Sequence, residues 1–311
     1  MADVAIPMIV VVGAGRAGLT FALCIARNME GLPVALICRS QARRESLRRL
    51  PANLEVHAEP SPALSRAVVT IFATPDRALQ QARDEWIRSG AAHAEQVWLH
   101  LSGVTPASTL YAPEVGAAVA SCHPLAALPD PLAAHLSDDH DQVARPLQGA
   151  FFAVDGPAAD IATDIARLVG GRPVALSPDH RAAYHAAASV VANDWVALMA
   201  VGEELAQRSG LSAEQARWAL LHLAKTSLQA LESLPTSASL LDGLTGPVGR
   251  GDAETLAAHL AVMSDDAGAV HTALSRRLLD ELSVAGRLSP EAVASLERLL
   301  RPDSDDDSLA T

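Results

Sequence analysis

A glycine pattern between a predicted strand and a predicted helix constrains this chain more than any other feature. Residues 6–12 form an apolar run with the length and composition of a buried strand. Gly13, Gly15 and Gly18 follow it in the spacing Gly-x-Gly-x-x-Gly, and an apolar helical pattern comes next. In that order the first glycine allows a tight turn, the second admits a pyrophosphate to the backbone, and the third lets the helix pack closely on the strand. Because free amides and the helix dipole attract phosphate, we predict a dinucleotide site here, the alternative being a tight turn that binds nothing.

The end of the second predicted strand indicates which dinucleotide binds. Folds that bind NAD usually place Asp or Glu at this point, where the carboxylate accepts a hydrogen bond from the ribose 2′-hydroxyl. This chain has Arg39 instead, followed by Ser40 and Arg43. A guanidinium binds a 2′-phosphate in a fork, whereas a carboxylate would repel it. We therefore expect NADP(H), the alternative being that these arginines only line a solvated helix face.

The turn after the fourth predicted strand is a further candidate for contact with the cofactor. Residues 68–73 form an apolar run that ends in Thr74, Pro75 and Asp76. Ligands bind at the carboxyl ends of parallel strands in open α/β sheets, which is where this turn is predicted to lie. The complete set predicted to bind the cofactor is Gly13, Ala14, Gly15, Arg16, Ala17, Gly18, Arg39, Ser40, Arg43, Ala73, Thr74 and Pro75.

The overall charge and the cysteines argue against several classes of function. The chain of 311 residues has a formal net charge of −12 at pH 7 and no long basic stretch, which argues against nucleic acid or an anionic membrane as the main partner. Its three cysteines have no metal-binding spacing, and we predict no metal. No apolar run is long enough to span a bilayer, and no signal-like segment precedes the first strand, so we expect a cytoplasmic protein.

Predicted strands occupy the first half of the chain. After residues 6–12 and 33–37, strands are expected at residues 54–57, 68–73, 97–101, 117–121, 151–154 and 173–176. The polar stretch 129–146 is interpreted as a surface loop. The strands and the helices between them predict an α/β domain over residues 1–176.

Beyond residue 176 the apolar pattern has a helical period. Helices are predicted at about residues 179–209, 213–234, 253–262, 266–285 and 290–300. They form a predicted helical domain, residues 177–302, and the acidic residues 303–311 are expected to be disordered. Because the first of these helices is too long and apolar to be buried within one small domain, we predict a homodimer with interlocked helical domains.

Two sets of polar residues are candidates for proton transfer. Ser102 and His123 directly follow predicted strands, and a histidine titrates near neutral pH and can donate a proton to a developing oxyanion. His185, Ser189 and Asn193 are spaced by four residues and share one face of the first predicted helix, as substrate-facing groups would. The alternatives are a histidine that only hydrogen-bonds a turn and a polar row that only faces solvent.

A loop in the helical domain is the candidate substrate-binding segment. Thr245, Gly246 and Arg250 combine close backbone approach with a guanidinium that can clamp a carboxylate or a phosphate. The alternative is a helix-entry loop in which Asp252 is the N-cap. Lys225 is interpreted as a surface lysine rather than a catalytic one.

Several motifs occur together in an order that resembles one family. They are residues 13–18, 101–103, 122–125, 152–156, 184–188 with Asn193, and 245–248 with 250–252. Apart from the acidic tail, the chain resembles the bacterial Rossmann-like proteins that carry the C-terminal domain of unknown function 2520. The broader relatives of that family are pyrroline-5-carboxylate reductase, ketopantoate reductase, prephenate dehydrogenase and the 6-phosphogluconate dehydrogenase group.

The resemblance implies a Rossmann dinucleotide-binding domain followed by an all-α domain similar to the C-terminal domain of 6-phosphogluconate dehydrogenase. In prephenate dehydrogenases a histidine in a His-Pro turn and a serine at a strand end handle the substrate hydroxyl, and His123 and Ser102 match them. In the 6-phosphogluconate group a lysine and an asparagine on the first long helix act together. Asn193 matches the asparagine, but this helix carries no lysine and only Tyr184 or His185 stands nearby, which leaves the proton donor open.

Two functions are consistent with these residues. The first is an NADP-dependent oxidoreductase that transfers a hydride to the C=O or C=N of a small carboxylate-bearing metabolite, either a 2-oxo acid such as ketopantoate or a cyclic imino acid. In this reading His123 or His185 supplies the proton and Asn193 orients the substrate. The second is a non-catalytic protein that senses NADP(H). Polar groups at the strand ends favour the enzyme, because a sensor needs no acid.

Overall fold

The computed structural model describes residues 7–47, 49–137 and 139–301 of the chain. Internal contacts divide it into two compact units, with the boundary between Asn193 and Asp194. The first unit therefore extends past the last strand and includes the helix that follows it. The tail predicted to be disordered, residues 303–311, lies outside the described residues.

Eight strands form one sheet in the first unit. In chain order, β1 to β8 span Met8–Val12, Val34–Ile37, Leu54–His57, Ala67–Phe72, Val97–His100, Ala118–Pro124, Phe151–Asp155 and Arg172–Ala175. Their order across the sheet is β3-β2-β1-β4-β5-β6-β7-β8, and neighbouring strands are parallel except for β6 and β7. All eight predicted strands are present, and the predicted α/β architecture is confirmed.

The described α-helices follow the predicted division between a mixed half and a helical half. In the first unit, α1 to α7 span Arg16–Asn28, Gln41–Ser46, Leu79–Arg88, Leu132–Leu136, His140–Ala144, Ala159–Leu168 and Arg181–Ala192. In the second unit, α8 to α13 span Asp194–Arg208, Ala213–Glu232, Pro247–Arg250, Ala253–Leu260, Asp265–Val284 and Pro290–Leu299. None of these helices is both long and apolar enough to cross a membrane.

Strands β1 and β2 are apolar throughout because helices cover both faces of the sheet. Every residue of β1 and of β2 is buried. On one face the rings of Phe21 in α1 and Phe152 in β7 lie 6.1 Å apart, centroid to centroid. On the other face Trp86 and Trp98 are fully buried, and both indole N–H groups donate to Gln96 Oε1, at 3.1 and 2.9 Å. One amide oxygen thus satisfies both polar atoms in this aromatic layer.

The stretch predicted as a surface loop, residues 129–146, instead contains the short helices α4 and α5. Val143 and Leu147 are buried in the same apolar layer as α1. His135 is also buried, and its Nδ1 lies 3.0 Å from a guanidinium nitrogen of Arg27. The loop prediction was wrong because each short helix buries only one or two side chains, which is too few to produce a periodic signal.

Strand β6 is longer than predicted and continues through Pro124. Its pairing with the parallel strand β5 ends where His100 lies opposite Ser121. The antiparallel strand β7 then pairs with β6 as far as Pro124. His123 therefore lies within a strand rather than after one, which the sequence did not reveal because an antiparallel partner extends the ladder.

The prediction of one long helix over residues 179–209 is wrong, because the structure has two helices there. Helix α7 ends at Ala192, its C-cap Asn193 has φ −97° and ψ −45°, and α8 begins at Asp194. Asparagine competes with a regular helix through its side-chain hydrogen bonding, which explains an interruption at this residue. The boundary between the two compact units falls at the same place.

In the second unit, α10 to α13 enclose a small apolar core, whereas α8 and α9 bury almost nothing. The core contains Val248, Leu256, Leu279, Leu282, Leu296 and Leu300. As predicted, Asp252 caps α11, because its side chain accepts a hydrogen bond from Thr255 N at 3.0 Å. Helix α8 has no buried residue, and Ala216 is the buried residue of the 20-residue helix α9.

Candidate functional site

The glycine loop has the geometry that its spacing predicts. Gly13 has φ +112°, which favours glycine, and a Cβ there would lie 2.7 Å from Ala73 O. A Cβ on Gly18 would overlap Gly13 O, so helix α1 packs directly against the turn. A Cβ on Gly15 would meet nothing within 4 Å, so the space in front of this residue is open. These three environments match the three roles expected of the glycines.

The N-terminus of α1 is open to an anion. Gly15 is its N-cap and supplies no side-chain cap, and the first turn contains no acidic residue. The first amide groups of a helix have no partner within the helix, so here they remain available to a phosphate. A cleft of about 350 Å³ adjoins this end, lined by residues of three strand ends that include Gly15, Ser40 and Pro75. The loop and the cleft therefore fit the pyrophosphate of a dinucleotide.

Two arginines predicted to bind a 2′-phosphate line this cleft, and carboxylates already hold both. Arg43 makes two hydrogen bonds with Asp130, at 2.8 and 2.7 Å. Arg39 is more exposed and forms an ion pair with Glu85 at 2.9 Å. The side chain of Ser40 accepts a hydrogen bond from Arg43 N and caps α2. The groups predicted to bind the 2′-phosphate thus lie together at this cleft, but each already has a hydrogen-bond or ion-pair partner within the chain.

Ser102 follows β5 and is joined to the turn that follows β4. Its hydroxyl donates to Asp76 Oδ2 at 2.8 Å and accepts from Thr105 N at 3.0 Å. His100 accepts a hydrogen bond from Ser102 N at 3.2 Å, and its other ring nitrogen lies 3.1 Å from Pro106 O. This network fixes the backbone and the hydroxyl of Ser102 at the carboxyl edge of the sheet.

His123, Tyr184 and His185 form an aromatic cluster beside the loop after β5. His123 Nδ1 lies 3.0 Å from the Tyr184 hydroxyl, and the His123 and His185 rings are 5.8 Å apart, centroid to centroid. A Cβ on Gly103 would lie 2.9 Å from His123 Nε2 and would overlap His185 Nδ1. That His185 nitrogen is buried and has no hydrogen-bond partner among the described residues. Strand β6 and helix α7 thus bring the rings of two histidines together against Gly103, which has no side chain.

Burial keeps His123 uncharged. Desolvation, assisted by His185 and Arg181, lowers the pKa of His123 from 6.5 to about 4. At neutral pH its ring is therefore a neutral imidazole with one proton rather than an imidazolium. This corrects the expectation that His123 acts as a histidine titrating near pH 7.

A buried ion pair attaches α7 to the sheet. Arg181 and Asp155 are both buried, and the guanidinium donates to the Asp155 carboxylate. The same guanidinium donates to Ser121 Oγ at 2.7 Å and to Ser102 O at 2.6 Å. Arg181 therefore connects the first turn of α7 with strands β6 and β7 and with the loop after β5.

The other predicted site residues are not part of this cluster. Ser189 is partly buried on α7, whereas Asn193 is exposed at its C-cap. Thr245, Gly246 and Arg250 lie in the second unit, where Gly246 is the N-cap of α10, and Thr245 and Arg250 are exposed. Their roles toward a substrate remain predictions. Among the described residues, no group of three or more His, Cys, Asp or Glu side chains is placed to hold a metal ion.

Asp76, Asp155 and Arg181 were not predicted as site residues from the sequence. Asp76 was noted only as part of the turn after the fourth predicted strand. Its position at a strand end could have indicated that it belongs to the site. Asp155 lies in one of the motifs that carried the family resemblance. Arg181 gave no signal, because one arginine at the start of a predicted helix is ordinarily exposed.

One family and several solved structures are similar to this chain. Residues 150–278 match the family described as "Domain of unknown function (DUF2520)". This match confirms the resemblance inferred from the motifs, and it extends from just before β7 into α12. None of the curated proteins with which the sequence was compared matches it.

Solved structures with the same fold cover both units of the chain. A protein from Thermotoga maritima is 19% identical, with a TM-score of 0.62, and the match covers 90% of this chain and 100% of that one. Pyrroline-5-carboxylate reductase from Coxiella burnetii is 16% identical, with a TM-score of 0.54, over 96% of this chain and 100% of that one. The Plasmodium falciparum pyrroline carboxylate reductase, solved with NADP bound, is 11% identical, with a TM-score of 0.53, over 94% and 97%. At these identities the likeness establishes the fold of the chain.

We expect the variant Arg181→Met to lose about 3–5 kcal/mol of unfolding free energy, because it leaves the buried Asp155 carboxylate without its partner. Denaturant unfolding measures this loss. The matched control is Arg167→Met, which removes an exposed ion pair with Asp164 and is expected to cost less than about 1 kcal/mol. Equal losses in the two variants would show that the Arg181 ion pair does not hold α7 on the sheet.

We also expect protein stability to decrease as the pH falls from about 6.5 to about 4. In this interval His123 binds a proton in the unfolded chain but not in the folded one, because burial lowers its folded-state pKa to about 4. The variant His123→Gln lacks this contribution, so its unfolding free energy should depend less steeply on pH there. Burial also lowers the pKa of His100, which contributes equally to both proteins. Parallel curves for wild type and variant would contradict the assignment of a neutral His123.

Proposed function

We propose that the protein is an NADP-dependent oxidoreductase that transfers a hydride to the C=O or C=N of a small metabolite bearing a carboxylate. The supporting observation is that the glycine loop and the polar cluster share one edge of the sheet. A Cβ on Gly13 would lie 2.7 Å from Ala73 O, just after β4, and Asp76, three residues after Ala73, accepts a hydrogen bond from Ser102. A cofactor held by the glycine loop would extend along this edge, as ligands do in open α/β sheets.

The cofactor, when bound, supplies the hydride, and the chain supplies hydrogen bonds to the reacting group. The Tyr184 hydroxyl engages His123 Nδ1, so Nε2 is the ring nitrogen that remains for a substrate. A neutral imidazole can polarise a carbonyl or imine by donating a hydrogen bond, as a preorganised electrostatic group does. His123 can give its Nε2 proton to the reacting atom while Nδ1 takes a proton from the Tyr184 hydroxyl, which regains one from solvent. The hydroxyl proton of Ser102 is donated to Asp76, so Ser102 helps to position the site rather than to supply the proton.

Two chemical classes of substrate are proposed, 2-oxo acids such as ketopantoate and cyclic imino acids. The similarity in fold to pyrroline carboxylate reductases supports the imino acids, and the hydroxyl groups beside His123 suit either class. In both classes a carboxylate lies next to the reducible bond. Asn193, Thr245, Gly246 and Arg250 are proposed to hold this part of the substrate, with the Arg250 guanidinium pairing with the carboxylate.

We further propose that the protein is a homodimer through its helical half. Trp218 is 72% exposed and Leu221 is 53% exposed, one helical turn apart on α9. Neighbouring helix α8 also exposes large apolar side chains, including Val196. Helices that are apolar over much of their surface are stable when another surface covers them, and contiguous exposed apolar patches mark interaction sites. A second copy of the chain supplies such a surface without any further component.

The proposed function is tested by measuring NADPH oxidation with purified protein and a panel of 2-oxo acids and cyclic imino acids. For an accepted substrate, His123→Gln should lower kcat at least tenfold while the Kd for NADPH changes less than twofold, because His123 lies apart from the glycine loop.

Fluorescence titration with NADPH and NADH measures binding of the cofactor. Arg39→Ala should weaken NADPH binding, whereas the change of the exposed Arg167 in Arg167→Ala should not. Binding of NADPH without turnover of any compound would favour an NADP(H) sensor. Failure to bind either dinucleotide would overturn the proposal.

For the homodimer, sedimentation at micromolar concentration should give twice the mass of one chain. Trp218→Glu places a charge in the exposed apolar patch and should shift the mass toward that of a single chain. Arg298→Glu changes an exposed residue of α13 and serves as the matched control. A wild-type protein that sediments as a single chain would rule the dimer out, and loss of the dimer in both variants would place the interface elsewhere.

A further inference from the structure

The group best suited to bind a 2′-phosphate is already bound to a carboxylate of its own chain. Both terminal nitrogens of Arg43 donate to Asp130, one to each carboxylate oxygen. The hydrogen bonds to Arg43 lower the pKa of Asp130, so the carboxylate is ionised at neutral pH. Its Oδ1 also accepts a hydrogen bond from Leu132 N at the start of α4, which fixes its orientation.

This pair lies at the cofactor cleft. Arg43 lines the cleft together with Arg39 and Ser40, and its side chain is 21% exposed, whereas the Asp130 side chain is 47% exposed. Arg16, in the first turn of α1, adds a smaller contribution to the lowered pKa of Asp130 than Arg43 does. A negative charge at this position acts on any phosphate that approaches Arg43.

We propose that Asp130 is a specificity-determining residue that competes with the 2′-phosphate of NADPH for Arg43 and so lowers the preference of the protein for NADPH over NADH. This inference rests on the proposed function, since it assumes that the cleft binds a nicotinamide dinucleotide. The fork of Arg43 is matched equally well by a carboxylate and by a phosphate, and the same two N–H groups cannot serve both fully. NADH carries no 2′-phosphate, so its binding leaves the pair intact.

Glu85 exerts a weaker effect of the same kind on Arg39. That ion pair joins one nitrogen and one oxygen, and the Arg39 side chain is 59% exposed. Arg39 therefore keeps other N–H groups for a phosphate while it contacts Glu85. Asp130 differs because it occupies both terminal nitrogens of a less exposed arginine.

The test measures the Kd values of NADPH and NADH by fluorescence titration for the wild type and for Asp130→Asn. The asparagine oxygen can still accept from Leu132 N, so the start of α4 is preserved while the charge is removed. We expect the Kd for NADPH to fall about fivefold, the worth of one partly exposed ion pair, and the Kd for NADH to change less than twofold. Asp130→Ala should also lower the Kd for NADPH. This second variant is needed because the asparagine side chain in Asp130→Asn could still accept a hydrogen bond from Arg43.

The matched control is Asp84→Asn. Asp84 also accepts two hydrogen bonds from one arginine, Arg83, but neither residue lines the cofactor cleft. Both Kd values should stay within twofold of the wild type. At high salt the gain in Asp130→Asn should shrink, because the competing interactions are partly exposed and screened.

Arg43→Ala separates failure of this inference from failure of the proposed function. If Arg43→Ala weakens NADPH binding but neither Asp130 variant strengthens it, Asp130 is not a competitor and the NADP assignment stands. If the Asp130 variants weaken NADH instead, Asp130 accepts hydrogen bonds from the ribose and the proposal is overturned. If Arg43→Ala leaves NADPH binding unchanged, the inference is overturned because Arg43 does not hold the 2′-phosphate. If the wild type binds neither dinucleotide, the proposed function fails as well.

Discussion

The guanidinium of Arg181 is the one group on which the candidate site depends most. It lies in the first turn of α7, is almost fully buried, and donates to Asp155, Ser121 and the backbone oxygen of Ser102. A charge taken out of water needs partners for most of its donors, and here those partners come from three separate segments of the first unit. By accepting hydrogen bonds from the terminal nitrogens of Arg181, these segments fix where α7 begins and therefore where Tyr184 and His185 lie, one turn further along the helix.

The same arrangement explains why His123 is uncharged. The burial of the cluster and the positive charge of Arg181 both oppose a second charge, so the pKa of His123 is low. Asp155 neutralises Arg181, which leaves Asp76, hydrogen-bonded to Ser102, as the ionisable carboxylate beside the cluster. A site of this kind stabilises a developing charge with preorganised hydrogen bonds, without needing a group that titrates at pH 7.

The sequence predicted those features that arise from local patterns. The strands and the glycine loop follow from apolar runs and from the spacing of Gly13, Gly15 and Gly18, and the structure agrees in each case. The features it did not predict arise from contacts between distant segments. The antiparallel partner of β6 places His123 within a strand, and the sheet buries Arg181. The break of the predicted long helix at Asn193 involves a single residue, against the apolar periodicity of its neighbours.

The arginines after β2 show why composition at a strand end does not alone determine cofactor preference. Arg39 and Arg43 predict a 2′-phosphate site because a guanidinium attracts phosphate, but that attraction acts only to the extent that the guanidinium is not already paired. Asp130 is 87 residues from Arg43 in the chain, and it lies just before α4, which packs against α5, the short helix that contacts α1. The net charge at the end of β2 therefore depends on tertiary contacts as well as on the residues that follow the strand. In a protein with a formal charge of −12, carboxylates close to an exposed arginine reduce its attraction for an anion.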